Sequence, residues 1–327
     1  MTRAHPNVAQ PNFEEAEIIQ PGGRPLPKGV AERIKLYYVK NGDVRLRVML
    51  ASAATDSPRG TILFSPGRTE FIEKYLETVG EFIERGFNVL IFDPRGQGLS
   101  DRLVADRLKS YIEDFQVYAD DFGYVAEEFK PLLPKPHIAV GHSMGGSIVL
   151  QSVISGTINP DAVICSAPML GLFDLDTPII RVIISTLSRL GLAKQNLPFR
   201  PQRDGLPVPF SQNKLTSDKE RYRVWASYFQ STPRMRLGPP TFGWIRAALA
   251  SIAFLQRNAD KLRVPSLIIA AGADPIVDPK SVEKFAENAK GQYAVVPGAL
   301  HELFLEKDDY RAQIFELIDG FLEAQKL

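Results

Sequence analysis

Gly141-His142-Ser143-Met144-Gly145 is the run in this 327-residue chain whose residue types and spacing most directly imply chemistry. It fits G-x-S-x-G, a pattern that exposes a serine hydroxyl on a sharp strand-to-helix turn. The context fits as well. His137-Ile138-Ala139-Val140 reads as a short buried strand before it, and Met144 to Ser155 reads as a helix after it. Such a serine attacks a carbonyl only when a base takes its proton, and histidine is the usual base near neutral pH.

The chain has four histidines. His5 lies in the N-terminal leader, His137 opens a strand upstream of the serine, and His142 adjoins Ser143 with its side chain expected to project away. His301 remains, in the loop Pro297-Gly298-Ala299-Leu300-His301 after the last strand, and it alone is late enough for the order serine, acid, histidine that goes with this turn. The acid belongs between them at a strand end, where Ala270-Ala271-Gly272-Ala273-Asp274-Pro275-Ile276-Val277-Asp278 offers two aspartates. Asp274 directly follows the small-residue turn and is favoured. Asp278 is the alternative, with a competing job as N-terminal cap of a helix from Lys280. Acyl transfer also needs two backbone N–H groups on the developing oxyanion. Met144 supplies one, and Arg68, in the loop Pro66-Gly67-Arg68-Thr69-Glu70, is the choice for the second. The loop Asp93 to Ser100 reads as a structural turn bracing the serine turn, since its glycines lack phosphate-loop spacing.

The elements that must position these residues alternate between apolar runs and helix-period segments, the signature of a mostly parallel central sheet flanked by helices. Paired strands at 34–39 and 43–51 with a turn at Asn41-Gly42, strands at 61–65 and 88–92, helices at 70–85 and 110–129, and a strand at 161–166 are expected. The rhythm breaks after Pro168. It resumes with strands at 266–271 and 292–296 and helices at 280–289 and 308–324. The expected organisation is an extended or disordered leader at 1–30, a core formed by 31–170 and 261–327, and an inserted, mainly helical cap at 171–260.

Composition bounds the rest. A formal charge of +1 gives no general pull towards nucleic acid, and a single cysteine, Cys165, rules out an intrachain disulfide and a multi-cysteine zinc site. His301-Glu302 begins a zinc-type H-E-x-x-H pattern, but no second histidine follows, so no metal and no cofactor are expected. The leader lacks a signal-peptide apolar run, and no stretch of about 18 apolar residues exists. A cytoplasmic place is therefore expected, with peripheral contact to the inner face of a membrane left open.

Residues 172–260 hold 13 Lys and Arg against 6 Asp and Glu, together with Trp225, Trp244 and the aromatics Phe173, Phe199, Phe210, Tyr222, Tyr228, Phe229, Phe242 and Phe254. A basic, apolar lid suits an amphiphile with an acyl chain and a phosphate head. Against that stands a plainer reading, in which the aromatics are the cap's own core and the cations are solvated. The segment Thr177 to Ile184 is either a membrane-touching helix or a packed helix of the cap.

Taken together, Ser65-Pro66-Gly67-Arg68-Thr69-Glu70, Asp93-Pro94-Arg95-Gly96-Gln97-Gly98-Leu99-Ser100, Gly141-His142-Ser143-Met144-Gly145-Gly146 and Pro297-Gly298-Ala299-Leu300-His301-Glu302 resemble the α/β-hydrolase superfamily, and within it the bacterial lysophospholipase and monoacylglycerol lipase-like branch. The likeness runs from about residue 35 to the C-terminus, and Leu215-Thr216-Ser217-Asp218 and Tyr222 through Trp244 carry it into the cap. It implies an α/β-hydrolase fold and a lid-covered serine esterase acting on single-chain lipids. The expected reaction is release of a fatty acid from a lysophospholipid through an acyl-enzyme, with Trp225 and Trp244 as substrate-facing candidates. The alternatives are a mono- or diacylglycerol lipase, a general carboxylesterase and, more distantly, a catalytically silent binding protein. A peptidase is weighed against because the cap shows no acidic cluster for a terminal amine.

Overall fold

The central strands here are largely apolar on both faces, as a sheet covered by helices on each side requires. The computed structural model describes residues 13–21, 26–173, 175, 177–197 and 204–327. Its sheet has nine strands: β1 (Glu14–Glu15), β2 (Ile34–Asn41), β3 (Val44–Ala51), β4 (Gly60–Ser65), β5 (Phe87–Phe92), β6 (His137–His142), β7 (Ala162–Ser166), β8 (Ser266–Ala271) and β9 (Gln292–Val296). They lie side by side as β1-β2-β3-β5-β4-β6-β7-β8-β9. From β5 to β9 every pairing is parallel, and β1, β2 and β3 close one edge antiparallel.

Alternation within a strand sends neighbours to opposite faces. In β4, Leu63 joins one core cluster while Ile62 and Phe64 join the other. In β5, Leu90 and Phe92 oppose Val89 and Ile91 in the same way. The first face is covered by α2 (Gln116–Phe129), α3 (Met144–Ile154) and α7 (Pro279–Ala289), the second by α1 (Leu76–Glu84) and α8 (Asp308–Ala324). Helix α8 alone buries Ile314, Phe315, Ile318, Phe321 and Leu322. At about 1.5–3 kcal/mol per large apolar side chain, that stripe anchors the C-terminus firmly.

Between β7 and β8 the chain runs through α4 (Pro178–Leu187), α5 (Lys219–Ser231) and α6 (Phe242–Arg257), with short irregular turns and no strand among the described residues. Helix α6 packs over the α3 side, whereas α5 packs beside α1. Phe199 and His5 fall outside the described residues.

Some sequence expectations shift. The β2–β3 loop is Gly42-Asp43, one residue later than Asn41-Gly42, because Asn41 pairs with Val44 and Gly42 takes the positive φ of 61° that the turn needs. Helix α2 starts at Gln116, not Ser110, because the Ser110 carbonyl accepts hydrogen bonds from both the N–H and the hydroxyl of Thr241 and is held against the segment between β7 and β8. Part of the leader is ordered. Phe13 stacks on Phe129, Glu14 and Glu15 pair with Tyr38 and Tyr37, and the Glu17 carbonyl accepts from buried Arg47 at 2.6 Å.

Candidate active site

Ser143 sits between the end of β6 and the start of α3, with φ 53° and ψ −118°. A non-glycine residue in that region is strained, and the strain is held by what surrounds it. The Ser143 N–H donates to Ser166 O at 2.9 Å, and the Ser143 carbonyl accepts from Met169 N at 2.9 Å. The flanking glycines are needed sterically. A Cβ at Gly145 would fall 1.9 Å from Ser65 O, and one at Gly141 would fall 2.4 Å from Gly145 O. These contacts let β4, β6 and α3 converge on one point at the C-terminal end of the sheet, where open parallel sheets place their sites.

His301, after β9, reaches Ser143 from the other side. Its Nε2 is 2.9 Å from Ser143 Oγ and its Nδ1 is 2.7 Å from Asp274 Oδ2. An ionised carboxylate only accepts, so Nδ1 carries the proton and Nε2 accepts from the serine hydroxyl. Asp274, after β8, is itself fixed: its Oδ1 accepts from the N–H groups of Ile276 at 2.8 Å and Val277 at 3.0 Å. Asp278 is engaged elsewhere. It caps α7, accepting from Lys280 N at 3.1 Å and Ser281 Oγ at 2.8 Å.

The amide of Met144 is the first of α3 and has no intrahelical acceptor, since a helix leaves its leading N–H groups unpaired. In the loop after β4, Gly67 N donates to Glu70 Oε2, and Thr69 N donates to Gln97 Oε1 at 2.9 Å, so the Arg68 peptide is clamped on both sides. The Arg68 side chain donates to Ser110 Oγ at 3.3 Å and, in the segment between β7 and β8, to Gly238 O. Among the described residues the Asp93–Ser100 loop hydrogen-bonds to this loop and not to the serine turn. Gln97 Nε2 donates to Gly67 O at 3.1 Å, and Asp93 accepts from Ile72 N and Leu99 N, each at 2.8 Å.

Trp225 and Trp244 are both buried among aromatic rings. Trp225 packs on Tyr222 and Phe229, with Lys74 Nζ 5.5 Å from its ring centroid. Trp244 packs on Phe115, with the Arg68 guanidinium 5.3 Å away.

Beneath His301 lies a cluster that no local sequence pattern marks. Lys74 Nζ sits between Glu70 Oε1 and Glu302 Oε2, 2.6 Å from each. The His142 ring lies 5.0 Å from the His301 ring; its Nδ1 is 3.2 Å from Ser166 Oγ and its Nε2 is 3.2 Å from Glu302. Glu70, His142 and Glu302 have the donor atoms and spacing to hold a cation, and Lys74 places an ammonium between the two carboxylates. Burial pushes both carboxyls up. For Glu302, the charge of Lys74 and then that of His142 overcome it and hold the group well below the usual range, while Glu70 is left raised by burial and by Glu302. Two buried carboxylates sharing one ammonium divide in this way.

The same charges act on His301. Burial pushes its pKa down, but the hydrogen bond and charge of Asp274, followed by the charges of Glu302 and Glu70, more than offset this and leave it above 6.5. A raised histidine favours the protonated folded state, so its stabilising contribution is full below the unfolded pKa and is lost as pH rises through the folded one. A base must be neutral, so turnover follows the opposite course. The acid limb of kcat/KM is expected to have its midpoint above 6.5, and Glu302→Gln is expected to move it down. A pH profile in which the variant's midpoint stays fixed or rises would contradict this.

The fold and the serine–histidine–aspartate contacts define the class: an α/β-hydrolase, and within it a serine hydrolase. Residues 56–308 match the family described as serine aminopeptidase, S33, and the chain belongs to that family. It is 30% identical over 279 residues to lysophospholipase L2 of Escherichia coli (strain K12), covering 80% of this chain and 79% of that protein. It is 25% identical to monoacylglycerol lipase of Mycolicibacterium smegmatis, covering 82% and 89% of the two chains. In fold it is similar to a soluble variant of monoglyceride lipase from Saccharomyces cerevisiae, with a TM-score of 0.73, 23% identity, and 92% and 99% of the two chains covered.

Proposed function

We propose that this protein releases a fatty acid from a lysophospholipid through an acyl-enzyme on Ser143. The observation that carries the reading is the unbroken relay from Ser143 Oγ through His301 to Asp274. As Ser143 Oγ bonds to the acyl carbonyl carbon, its proton passes to His301 Nε2, and Asp274 steadies the imidazolium. The oxyanion is received by the amides of Met144 and Arg68. Collapse breaks the bond to the glycerol oxygen, which takes the proton from His301. Water then repeats the sequence and frees the acid.

In this reading residues 171–260 form a lid over the core, and residues 1–30 are an added leader. Two features of the lid side support an amphiphilic, phosphate-bearing substrate. Ile179, Val182 and Ile183 on α4 are 73%, 65% and 49% exposed although Ile184 on the same helix is buried, an apolar ridge suited to peripheral contact with a lipid surface. Arg102 and Arg107 both donate to the carbonyl of Arg234, at 3.0 and 3.1 Å, and neither has a carboxylate partner among the described residues. Burial and the neighbouring Arg107 push Arg102 down to about 10, outweighing the charges of Asp93 and Tyr118 that raise it. The names of the relatives, a lysophospholipase and a monoacylglycerol lipase, both support a single-chain lipid ester, and the first supports a phosphate-bearing one.

The family's description raises peptide hydrolysis as a second reading. An aminopeptidase must hold the substrate's ammonium with a reachable carboxylate. Glu70 and Glu302, the carboxylates beside His301, are buried and engaged by Lys74. Side-by-side kcat/KM values on lysophosphatidylcholine, a monoacylglycerol and an aminoacyl anilide separate the readings. The highest value is expected on the lysophospholipid. Arg102→Gln with Arg107→Gln is expected to raise KM for that substrate about three- to tenfold, leaving the monoacylglycerol unaffected. The highest value on the anilide would overturn the proposal, and on the monoacylglycerol it would move the substrate to neutral lipid.

A further inference from the structure

A general base works only if its loop holds it in register with the nucleophile, since a misplacement of about 1 Å costs on the order of a hundredfold in rate. Both residues flanking His301 are pinned by hydrogen bonds that pass through one short piece of the insertion. On one side, Glu302 N donates to Leu215 O at 2.8 Å. On the other, Leu300 N donates to Glu306 Oε1 at 2.9 Å, and Glu306 Oε2 accepts from Ser217 N at 3.0 Å and Ser217 Oγ at 2.5 Å. Thr216 Oγ1 adds a bond to Leu305 O at 2.7 Å. Asn213 stiffens the segment, donating to Thr216 O at 2.5 Å and accepting from Leu215 N at 2.7 Å.

Glu306 is fully buried, and among the described residues no Lys or Arg pairs with its carboxylate. Arg221 reaches only its backbone carbonyl, at 3.0 Å. A buried carboxylate held by neutral donors alone is costly unless each donor is aimed at it. Here the two oxygens face opposite ways, one towards the His301 loop and one towards Ser217. Glutamine cannot replace it, because its NH2 would face an N–H donor on one side or the other.

We infer that Glu306 is a positioning residue that ties the 213–218 segment of the insertion to the His301 loop, so that the place of the imidazole depends on how the insertion is seated. The inference rests on the reading of His301 as the base. Glu306 touches neither Ser143 nor Asp274 and acts only through the loop.

The test compares wild type with Glu306→Gln, Ser217→Ala and Ser217→Thr on a chromogenic aryl ester, with active sites counted by a fluorophosphonate so that kcat is expressed per competent site. Glu306→Gln is expected to lower kcat per site by about tenfold to a hundredfold with KM within about twofold. Ser217→Ala should lower it several-fold, and Ser217→Thr, which keeps the hydroxyl, should restore it. The acid limb of the pH profile should move down in Glu306→Gln as the Asp274 contact loosens. If Glu306→Gln does not fold, the pair at position 217 decides. Unchanged kcat per site, even with a lowered melting temperature, would make these bonds merely structural and overturn the inference. Failure of the wild type to label would instead overturn the reading of Ser143 and His301, and this inference with it.

Discussion

Replacing Ser143 by alanine is expected to lower ester turnover by about four to six orders of magnitude while leaving the fold intact. The hydroxyl makes a single described side-chain contact, the 2.9 Å bond to His301 Nε2, so its removal takes away little packing. The φ of 53° is held by the backbone bonds to Ser166 and Met169 and survives the change. What is lost is the only atom in the relay that can form the acyl bond. Residual rate over water should persist, because the oxyanion donors do not depend on the side chain. The check is kcat on a lysophospholipid together with the thermal midpoint. A variant retaining more than about a hundredth of wild-type turnover would require another nucleophile.

The second large effect concerns stability. Lys74→Met is expected to destabilise the protein by about 3–5 kcal/mol, because it leaves Glu70 and Glu302 buried and facing each other without their shared ammonium. One carboxyl must then take up a proton or water must enter. For a chain of this size the thermal midpoint should fall by very roughly 4–7 °C. The loss should be steeper above the ordinary carboxylate range than below it. There the wild-type Glu302, held low by Lys74 against its own burial, is ionised and stabilising, and the variant's uncompensated charge costs most. Adding Glu70→Gln to Lys74→Met should recover part of the loss, since a neutral amide no longer repels Glu302. Thermal unfolding of the single and double variants measures this, and a single variant within about 0.5 kcal/mol of wild type would show that the ammonium is dispensable.

Much of this architecture is legible in the chain itself, and the illegible part has a common cause. The strand, turn and helix around Ser143 are encoded locally, in an apolar run, two glycines and an apolar helix, so they read directly. His301 emerges by elimination because histidines are scarce. Asp274 is ranked above Asp278 by its place directly after the strand-end turn and by the cap position of Asp278. The fold agrees: the carboxylate after the β8 turn meets the imidazole, while the other meets the Lys280 N–H and the Ser281 hydroxyl of its own helix. The start of α2 is misread from the pattern because Thr241, far along the chain, captures the Ser110 carbonyl.

The Glu70–Lys74–His142–Glu302 cluster shows the limit most clearly. Glu70 and Lys74 stand four apart, a spacing that by itself gives no sign of burial. Nothing nearby in sequence says that Glu302 will close the cluster from the far end of the chain. Glu306 is hidden for the same reason, since its partners Leu300 and Ser217 belong to different elements. Local pattern reports which elements form. The polar groups that tune and hold His301 come from four separate segments, and only the packed sheet brings them together.

The most direct measurement is peptide mapping by mass spectrometry after brief exposure of the native protein to a fluorophosphonate. The account predicts a single adduct, on the peptide containing Ser143, formed at the rate activity is lost, absent from Ser143→Ala and slowed in Asp274→Asn. An adduct on any other residue, or an unlabelled protein that still hydrolyses the ester, would contradict it.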